Sequence, residues 1–222
     1  MTHLLILLNM GCRCANIPKA TPLLQEESFV SCWPNVNAIP HPKGIDSADP
    51  RFNGEHLLVL HKSGRRIMHY QSGKITLDQD GLHCWRVGLG GAPEGHKYAQ
   101  GDERTPEGWY RTSNRSSSSY YGAINIHYPN GDDANAAFRS QRITKEQHKD
   151  LLRSAAMDEM PDGNTPLGGL ILIHGSPKNS PMNPIGSKLD WTDGCAVLED
   201  EHIDRLRSIL PEQMRSDILI LP

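Results

Sequence analysis

A chain of 222 residues with a formal net charge of −3 and 37% hydrophobic residues has enough apolar material for one globular domain plus a tail. The mild acidity gives no electrostatic case for nucleic-acid binding. Twenty glycines, sixteen prolines and only three phenylalanines exclude a helix bundle and point to many turns and short strands.

In chain order, Met1–Cys12 has two readings. It is an export signal whose Gly11-Cys12 pair resembles a lipoprotein processing site, with Cys12 as a lipid-bearing residue, or it is an ill-defined, shortened signal. Residues 1–50 read as this signal and a tail, because six prolines between Pro18 and Pro50 break every periodicity. No later stretch is long enough to span a membrane. The five cysteines (Cys12, Cys14, Cys32, Cys84 and Cys195) have no regular spacing and do not read as a disulfide framework. Cys84 sits in an apolar run and reads as a buried small hydrophobe.

From His56 the pattern changes. His56–Lys62 is a compact apolar strand, and Ser63–Arg66 turns it into a second strand, Ile67–Tyr70. Leu82–Leu89 reads as a third strand. Thr105-Pro106-Glu107-Gly108 is a turn, followed by strands at Trp109–Thr112 and Ala123–Tyr128, with a flexible polar loop at Arg115–Ser119. A helix is predicted over Thr144–Met157, opened by a Thr144/Gln147 capping box and striped by Leu151, Leu152, Ala155 and Ala156. Leu167–Ile173 is a strand ending at His174. A second helix follows Glu199, with Ile203, Leu206, Ile209 and Leu210 as its apolar stripe and Pro211 as its stop. Asp217–Leu221 closes the chain as a last strand. These elements predict a mainly β fold, a mostly antiparallel sandwich or barrel with two peripheral helices.

The chemistry concentrates between residues 173 and 195. His174 ends an apolar strand, and Cys195 follows a glycine that permits a sharp turn. A cysteine nucleophile needs a base within hydrogen-bond reach and an oxyanion site. The amides at Gly194 and Cys195 are natural oxyanion donors. A neighbouring histidine is expected to lower the thiol pKa. The alternative is a buried cysteine and a core histidine that never meet.

The wider pattern resembles the L,D-transpeptidase catalytic domain (YkuD) family, most closely its YafK-like murein branch. Ile173-His174-Gly175 is followed by Asp190-Trp191-Thr192-Asp193-Gly194-Cys195-Ala196-Val197. Upstream stand Val87–Gly90, Pro93–Lys97 and Gly101–Tyr110, with Thr-Pro-Glu-Gly at 105–108, and then Ile126–Asn130 and Asp132–Ala134. The likeness covers roughly residues 55–222, which are expected to be the catalytic domain, an L,D-transpeptidase-like antiparallel or mixed β-sandwich.

The resemblance implies that Cys195 is the nucleophile and His174 the base. It implies that the Gly175 backbone orients His174, and that Asp193, Gly194 and Cys195 form the oxyanion hole. It implies peptidoglycan stem peptides as substrate, with an envelope lipoprotein as a further partner, and a periplasmic or envelope location. The reaction is either transpeptidation through a Cys thioester or hydrolysis of a stem–lipoprotein amide. No cofactor or metal is expected, since His56, His61, His69 and His83 lack ligand spacing. The chain departs from many members in having Asp193 instead of histidine before Gly-Cys. It also has Val197 where many have a substrate-gripping arginine.

Four residues are expected around the substrate: Lys97, Arg104, Trp191 and Thr192. Lys97 and Arg104, with Asp102, either contact stem carboxylates or form an ion cluster that shapes their loop. Trp191 either walls the pocket or packs on the sandwich. Asp132 and Asp133 are expected to hold the turn after Pro129, and His127 to be a packed or edge histidine. Rival readings are a different cysteine enzyme and a non-catalytic wall-binding module on the same sandwich. Papain-like order, a caspase Gln-Ala-Cys element and a sortase strand arginine are all missing from the sequence.

Overall fold

The structure is a computed structural model and describes residues 32–42, 45–178 and 186–222. Cys12 and Cys14, and with them the signal reading, lie outside the described residues. The chain runs through β1 (Leu57–His61), β2 (Arg66–Gln71), β3 (Lys74–Ile75), β4 (Leu77–Asp78), β5 (Gly81–Leu82), β6 (Cys84–Arg86), β7 (Gly108–Asn114) and β8 (Ile124–Ile126). It continues through α1 (Gly131–Arg139), α2 (Lys145–Ala156), β9 (Leu172–His174), β10 (Ala196–Val197), α3 (Asp200–Ile209) and β11 (Asp217–Leu221). Nine of these strands form one sheet in the order β10-β9-β8-β7-β11-β1-β2-β3, with β6 also on β2, while β4 and β5 pair separately.

The sheet is mixed: β1/β11 and β9/β10 are parallel and the other pairs antiparallel. Beyond β6 the chain bridges back to β10 at Gly88 and Val197, with Val197 N–H donating to the Gly88 carbonyl at 2.8 Å. That bridge folds the sheet around one main core. Leu58, Leu60, Ile124, Ile126, Ile173, Ala196, Ile218 and Ile220 point into it, together with Ala134, Leu151, Ile203 and Leu206 from the three helices.

The opposite faces of β1, β2 and β11 build a second core. Leu57, Val59, Met68, Tyr70, Leu219 and Leu221 pack there under Val36, Ile39 and Phe52. Burial on both faces explains the unbroken apolar run of β1. Part of the expected tail, residues 32–42 and 45–53, is therefore packed on the domain, with two short 3-10 turns at Val36–Ala38 and Pro50–Asn53.

The structure corrects several sequence expectations. Among the described residues there are three helices, not two. α1 was hidden because its only deeply buried apolar residues are Ala134 and Ala137, too weak a stripe to read. Asp132 and Asp133 lie in its first turn, and Asp133 holds the turn after Pro129 as expected. Asp133 completes a capping box with Asn130 and also accepts the Tyr110 hydroxyl at 3.0 Å. Cys84 is not a free small hydrophobe: it forms a disulfide with Cys32 across a sequence separation of 52. Leu82–Leu89 is not one strand, since Leu82 sits exposed in the β4/β5 hairpin while Cys84–Arg86 pairs with β2. The strand expected from Leu167 begins only at Leu172, after Gly168 and Leu170 take left-handed backbone conformations.

The disulfide ties the covering segment to the sheet, so it should govern that segment's stability. Replacing Cys32 and Cys84 together by serine is expected to lower unfolding stability by about 2–4 kcal/mol. Urea titration checks this, and an unchanged midpoint would show that packing alone holds residues 32–53.

Candidate active site

The strands that end the sheet sort their side chains by alternation. On β8 and β9, Ile124, Ile126 and Ile173 enter the core, so Asn125, Leu172 and His174 take the opposite face. In the parallel β9/β10 pair, Ala196 lies beside Ile173 and Val197 beside His174. Cys195, one residue before β10, therefore falls on the face of Leu172 and His174. The Leu172 N–H donates to Cys195 Sγ at 3.4 Å, and the thiol points to the Leu170 carbonyl at 3.7 Å.

His174 is 1% exposed. Its Nδ1 lies 2.6 Å from the Gly175 carbonyl, which only accepts, so Nδ1 carries the proton and Nε2 is the basic nitrogen. The ring stacks on Tyr120, with centroids 4.0 Å apart, and meets the Trp191 edge at 6.2 Å. Tyr120 is a site residue that the sequence reading missed. Arg115–Ser119 looked like a flexible polar loop, yet its end runs against the segment after His174. The Tyr121 N–H donates to the Ser176 carbonyl at 2.9 Å, and the Lys178 N–H to the Ser119 carbonyl at 2.8 Å. The double tyrosine after the serine run was the available signal.

The Gly-Cys turn is built by close backbone approach. Gly194 has φ +126°, and a Cβ there would lie 2.4 Å from the Arg104 carbonyl oxygen. Only glycine satisfies both conditions. Thr192 clamps the turn: its hydroxyl donates to the Cys195 carbonyl at 2.8 Å and accepts the Gly194 N–H at 3.2 Å. This corrects one expectation, because the Gly194 amide is already engaged and is not an open oxyanion donor. Among the described residues, no acceptor takes the Asp193 or Cys195 N–H. Gly175 has a packing reason as well: a Cβ would lie 2.3 Å from Asp200 Oδ1, the oxygen that accepts the Ser176 N–H.

The remaining expected residues separate. Trp191 lies beside His174, and its indole N–H donates to the Gly186 carbonyl at 3.2 Å. Lys97 is buried and committed: its ammonium donates to Asp102 at 2.7 Å and to the Ala99 carbonyl at 3.1 Å. Asp102 also accepts the N–H groups of Tyr98, Ala99 and Arg104. Burial opposes ionisation of Asp102, but the Lys97 hydrogen bond and those backbone donors outweigh it and hold its pKa low. Here Lys97 shapes its loop. The Arg104 side chain reaches the His96 carbonyl at 3.5 Å, and its own carbonyl packs on Gly194. His127 is buried and hydrogen-bonded to Ser113 at 2.9 Å.

Burial works against the expected lowering of the thiol pKa. Burial pushes the Cys195 thiol up to about 11, against the Leu172 N–H, which lowers it. Asp193 raises it further, while Lys97 and Arg115 lower it. Burial likewise pushes His174 down to about 4, partly opposed by the Gly175 carbonyl. The resting pair is thus a neutral thiol and a neutral imidazole whose basic nitrogen is free.

The L,D-transpeptidase catalytic domain (YkuD) family profile matches residues 55–218, and the chain belongs to this family. The family acts on peptidoglycan peptide stems. Solved structures with a similar arrangement include the helical cell shape determining protein Pgp2 from Campylobacter jejuni, at 21% identity over 74% of this chain and 46% of that one, with a TM-score of 0.46. Bd1075 from Bdellovibrio bacteriovorus is similar at 20% identity over 76% and 48%, with a TM-score of 0.42. An L,D-transpeptidase from Xylanimonas cellulosilytica matches at 12% identity over 77% and 62%, with a TM-score of 0.37. The chain spans about half the length of the first two. No curated protein sequence matches it.

A neutral pair has a measurable signature. Alkylation of Cys195 by iodoacetamide, read on its own peptide by mass spectrometry, should rise about tenfold per pH unit between pH 7 and 10, following the thiolate fraction. A rate that levels off below pH 8 would instead reveal a thiolate–imidazolium pair.

Proposed function

We propose that this chain is a cysteine acyl-transfer enzyme of the cell envelope that acts on peptidoglycan stem peptides through Cys195 and His174. The observation that carries the reading is the His174 tautomer: Nδ1–H is tied to the Gly175 carbonyl, leaving Nε2 basic on the face that also holds the thiol. In the proposed reaction, Cys195 Sγ attacks the carbonyl of the third stem residue, a diamino acid, while its proton passes to His174 Nε2. The Asp193 and Cys195 N–H groups receive the oxyanion. The C–N bond to the terminal D-alanine then breaks, the imidazolium protonates the leaving amine, and a thioester remains. An amine of a second stem or of a lipoprotein, or a water molecule, takes the acyl group and returns the thiol.

The raised thiol pKa suits this order, because proton transfer accompanies attack rather than preceding it. Thr192 and Gly194 hold the turn, Gly175 orients the base, and Trp191 and Tyr120 wall it. Arg104 supports the turn through its backbone. The Cys32–Cys84 disulfide favours an oxidising compartment, in keeping with an envelope location. Among the described residues, no helix is long and apolar enough to cross a membrane.

One observation favours hydrolysis over transpeptidation. Val197, at the position where many relatives grip substrate with arginine, is fully buried in the β9/β10 pair. An apolar side chain there supplies no charge to grip a second stem, so we favour water as the acceptor and a stem–lipoprotein amide as the substrate.

The test is incubation of the protein with tetrapeptide muropeptides and with lipoprotein-linked muropeptides, read by mass spectrometry. Release of free stems from the adduct identifies the hydrolase, and new stem dimers with loss of D-alanine identify the transpeptidase. Cys195→Ala is expected to abolish either product, and His174→Gln to cut kcat by about 10²–10⁴-fold. Unchanged substrates with the unmodified protein would leave a wall-binding module as the better reading.

A further inference from the structure

One cation on the cysteine face has no role in the proposed reaction. Arg115 directly follows β7. Among the described residues, its Nη1 makes a single long contact, to Asn125 Oδ1 at 3.5 Å, and its buried Nε has no hydrogen-bond partner. A guanidinium offers five donors in a fixed plane, and burying one unpaired is unfavourable. The other cation near the thiol, Lys97, is already committed to Asp102.

The platform beneath Arg115 is firmly built. Asn125 Nδ2 donates to the Asn114 carbonyl at 3.1 Å and to Ser113 Oγ at 3.4 Å, which leaves Oδ1 for the guanidinium. Arg207 from α3 donates to the Ala123 carbonyl at 3.2 Å and to Asn114 Oδ1 at 3.0 Å, fixing both ends of the 114–123 loop.

Its place relative to the thiol follows from register. Asn125 pairs with Leu172, whose N–H donates to Cys195 Sγ. Two strand spacings of about 4.8 Å separate Asn125 from the Cys195 chain, so the guanidinium's anchor lies about 10 Å from the sulfur on the same face. Arg115 also lowers the Cys195 pKa, so its field reaches the thiol.

We infer that Arg115, oriented by Asn125, is a carboxylate-binding residue that selects donor peptides carrying a free carboxylate beside the attacked carbonyl. The inference rests on the proposed role of Cys195 toward stem peptides. A planar guanidinium matches a carboxylate with two parallel hydrogen bonds. A stem peptide presents such a group in two places: the distal carboxylate of the attacked diamino acid, and the free carboxylate of the glutamate before it. Conversion of that carboxylate to an amide removes both its charge and one acceptor.

The experiment uses the full chain and four tetrapeptide stems: both carboxylates free, either one amidated, and both amidated. D-alanine release is followed for the unmodified protein, Arg115→Met and Arg115→Lys. The unmodified protein is expected to lose about 10–100-fold in kcat/KM, mainly through KM, when the recognised carboxylate is amidated. Which single amide causes the loss identifies the source. Arg115→Met is expected to lose the same factor on the free acid and to ignore amidation, with Arg115→Lys between them. Discrimination retained by Arg115→Met, or an equal loss on acids and amides, overturns the inference.

A second measurement needs no turnover. Alkylation of Cys195 by 3-maleimidopropionate and by N-ethylmaleimide is compared on the Cys195 peptide. The anionic-to-neutral rate ratio is expected to fall about tenfold or more in Arg115→Met, whereas a change in thiol pKa alone slows both reagents together. An unchanged ratio refutes the carboxylate subsite. If the unmodified protein cleaves only the lipoprotein-linked stems, the amidation series is read on that cleavage; if it neither releases D-alanine nor cleaves the adduct, the proposed function fails while the maleimide ratio still judges Arg115.

Discussion

The parallel pairing of β9 with β10 is the constraint on which the site depends. It sets Ile173 and Ala196 into the core and so forces Leu172, His174 and the Cys195 turn to the other face. A one-residue slip would exchange the two sets, turning Leu172 and His174 into the main core and isoleucine onto the cysteine face. That register is in turn held by the bridge from Gly88 to Val197 and by the close contact of Gly194 with the Arg104 carbonyl. The glycines at 88, 90 and 194 allow three backbone segments to approach within distances that a Cβ would forbid. The catalytic geometry is therefore a by-product of core packing on one side and glycine contacts on the other.

The same closeness explains the electrostatics. A histidine that is 1% exposed cannot hold a proton cheaply, and a thiol against strand backbone cannot lose one cheaply. Neither group supplies the opposite charge that would rescue its neighbour. The Leu172 N–H and the distant cations Lys97 and Arg115 offset part of the thiol's desolvation, but burial dominates. Burial therefore favours the neutral form of both groups, and in the proposed reaction charge develops beside the unpaired Asp193 and Cys195 amides.

Much of this was legible in the sequence, for identifiable reasons. β1, β2 and β11 announce themselves through dense apolar runs bounded by turns, and α2 through the Thr144/Gln147 capping box that the structure contains. His174 and Cys195 stand out because a strand end and a glycine turn flank them. What was not legible depended on contacts distant in sequence. The Cys32–Cys84 bond joins residues 52 apart with no spacing signal. α1 is anchored by Asp133 hydrogen bonds to Asn130 and Tyr110 and buries only the small side chains of Ala134 and Ala137, which make a faint stripe. Tyr120 reaches His174 only because a polar loop pairs with the chain after β9. The thiol pKa was misjudged because adjacency to a histidine is visible in a motif, whereas the degree of burial is not.

The two kinds of cysteine in the described residues can be understood together. A compartment oxidising enough to close Cys32–Cys84 also threatens any free thiol, and the reactive species in that chemistry is the thiolate. Burial raises the Cys195 pKa and so favours the protonated thiol, the form less open to such oxidation. Activation then requires a carbonyl placed against the sulfur and an imidazole nitrogen free to take its proton. The Gly175 carbonyl keeps that nitrogen free by fixing the proton on Nδ1. Burial, which is a liability for a permanently ionised catalytic pair, ties the reactivity of the thiol to the arrival of substrate in the proposed reaction.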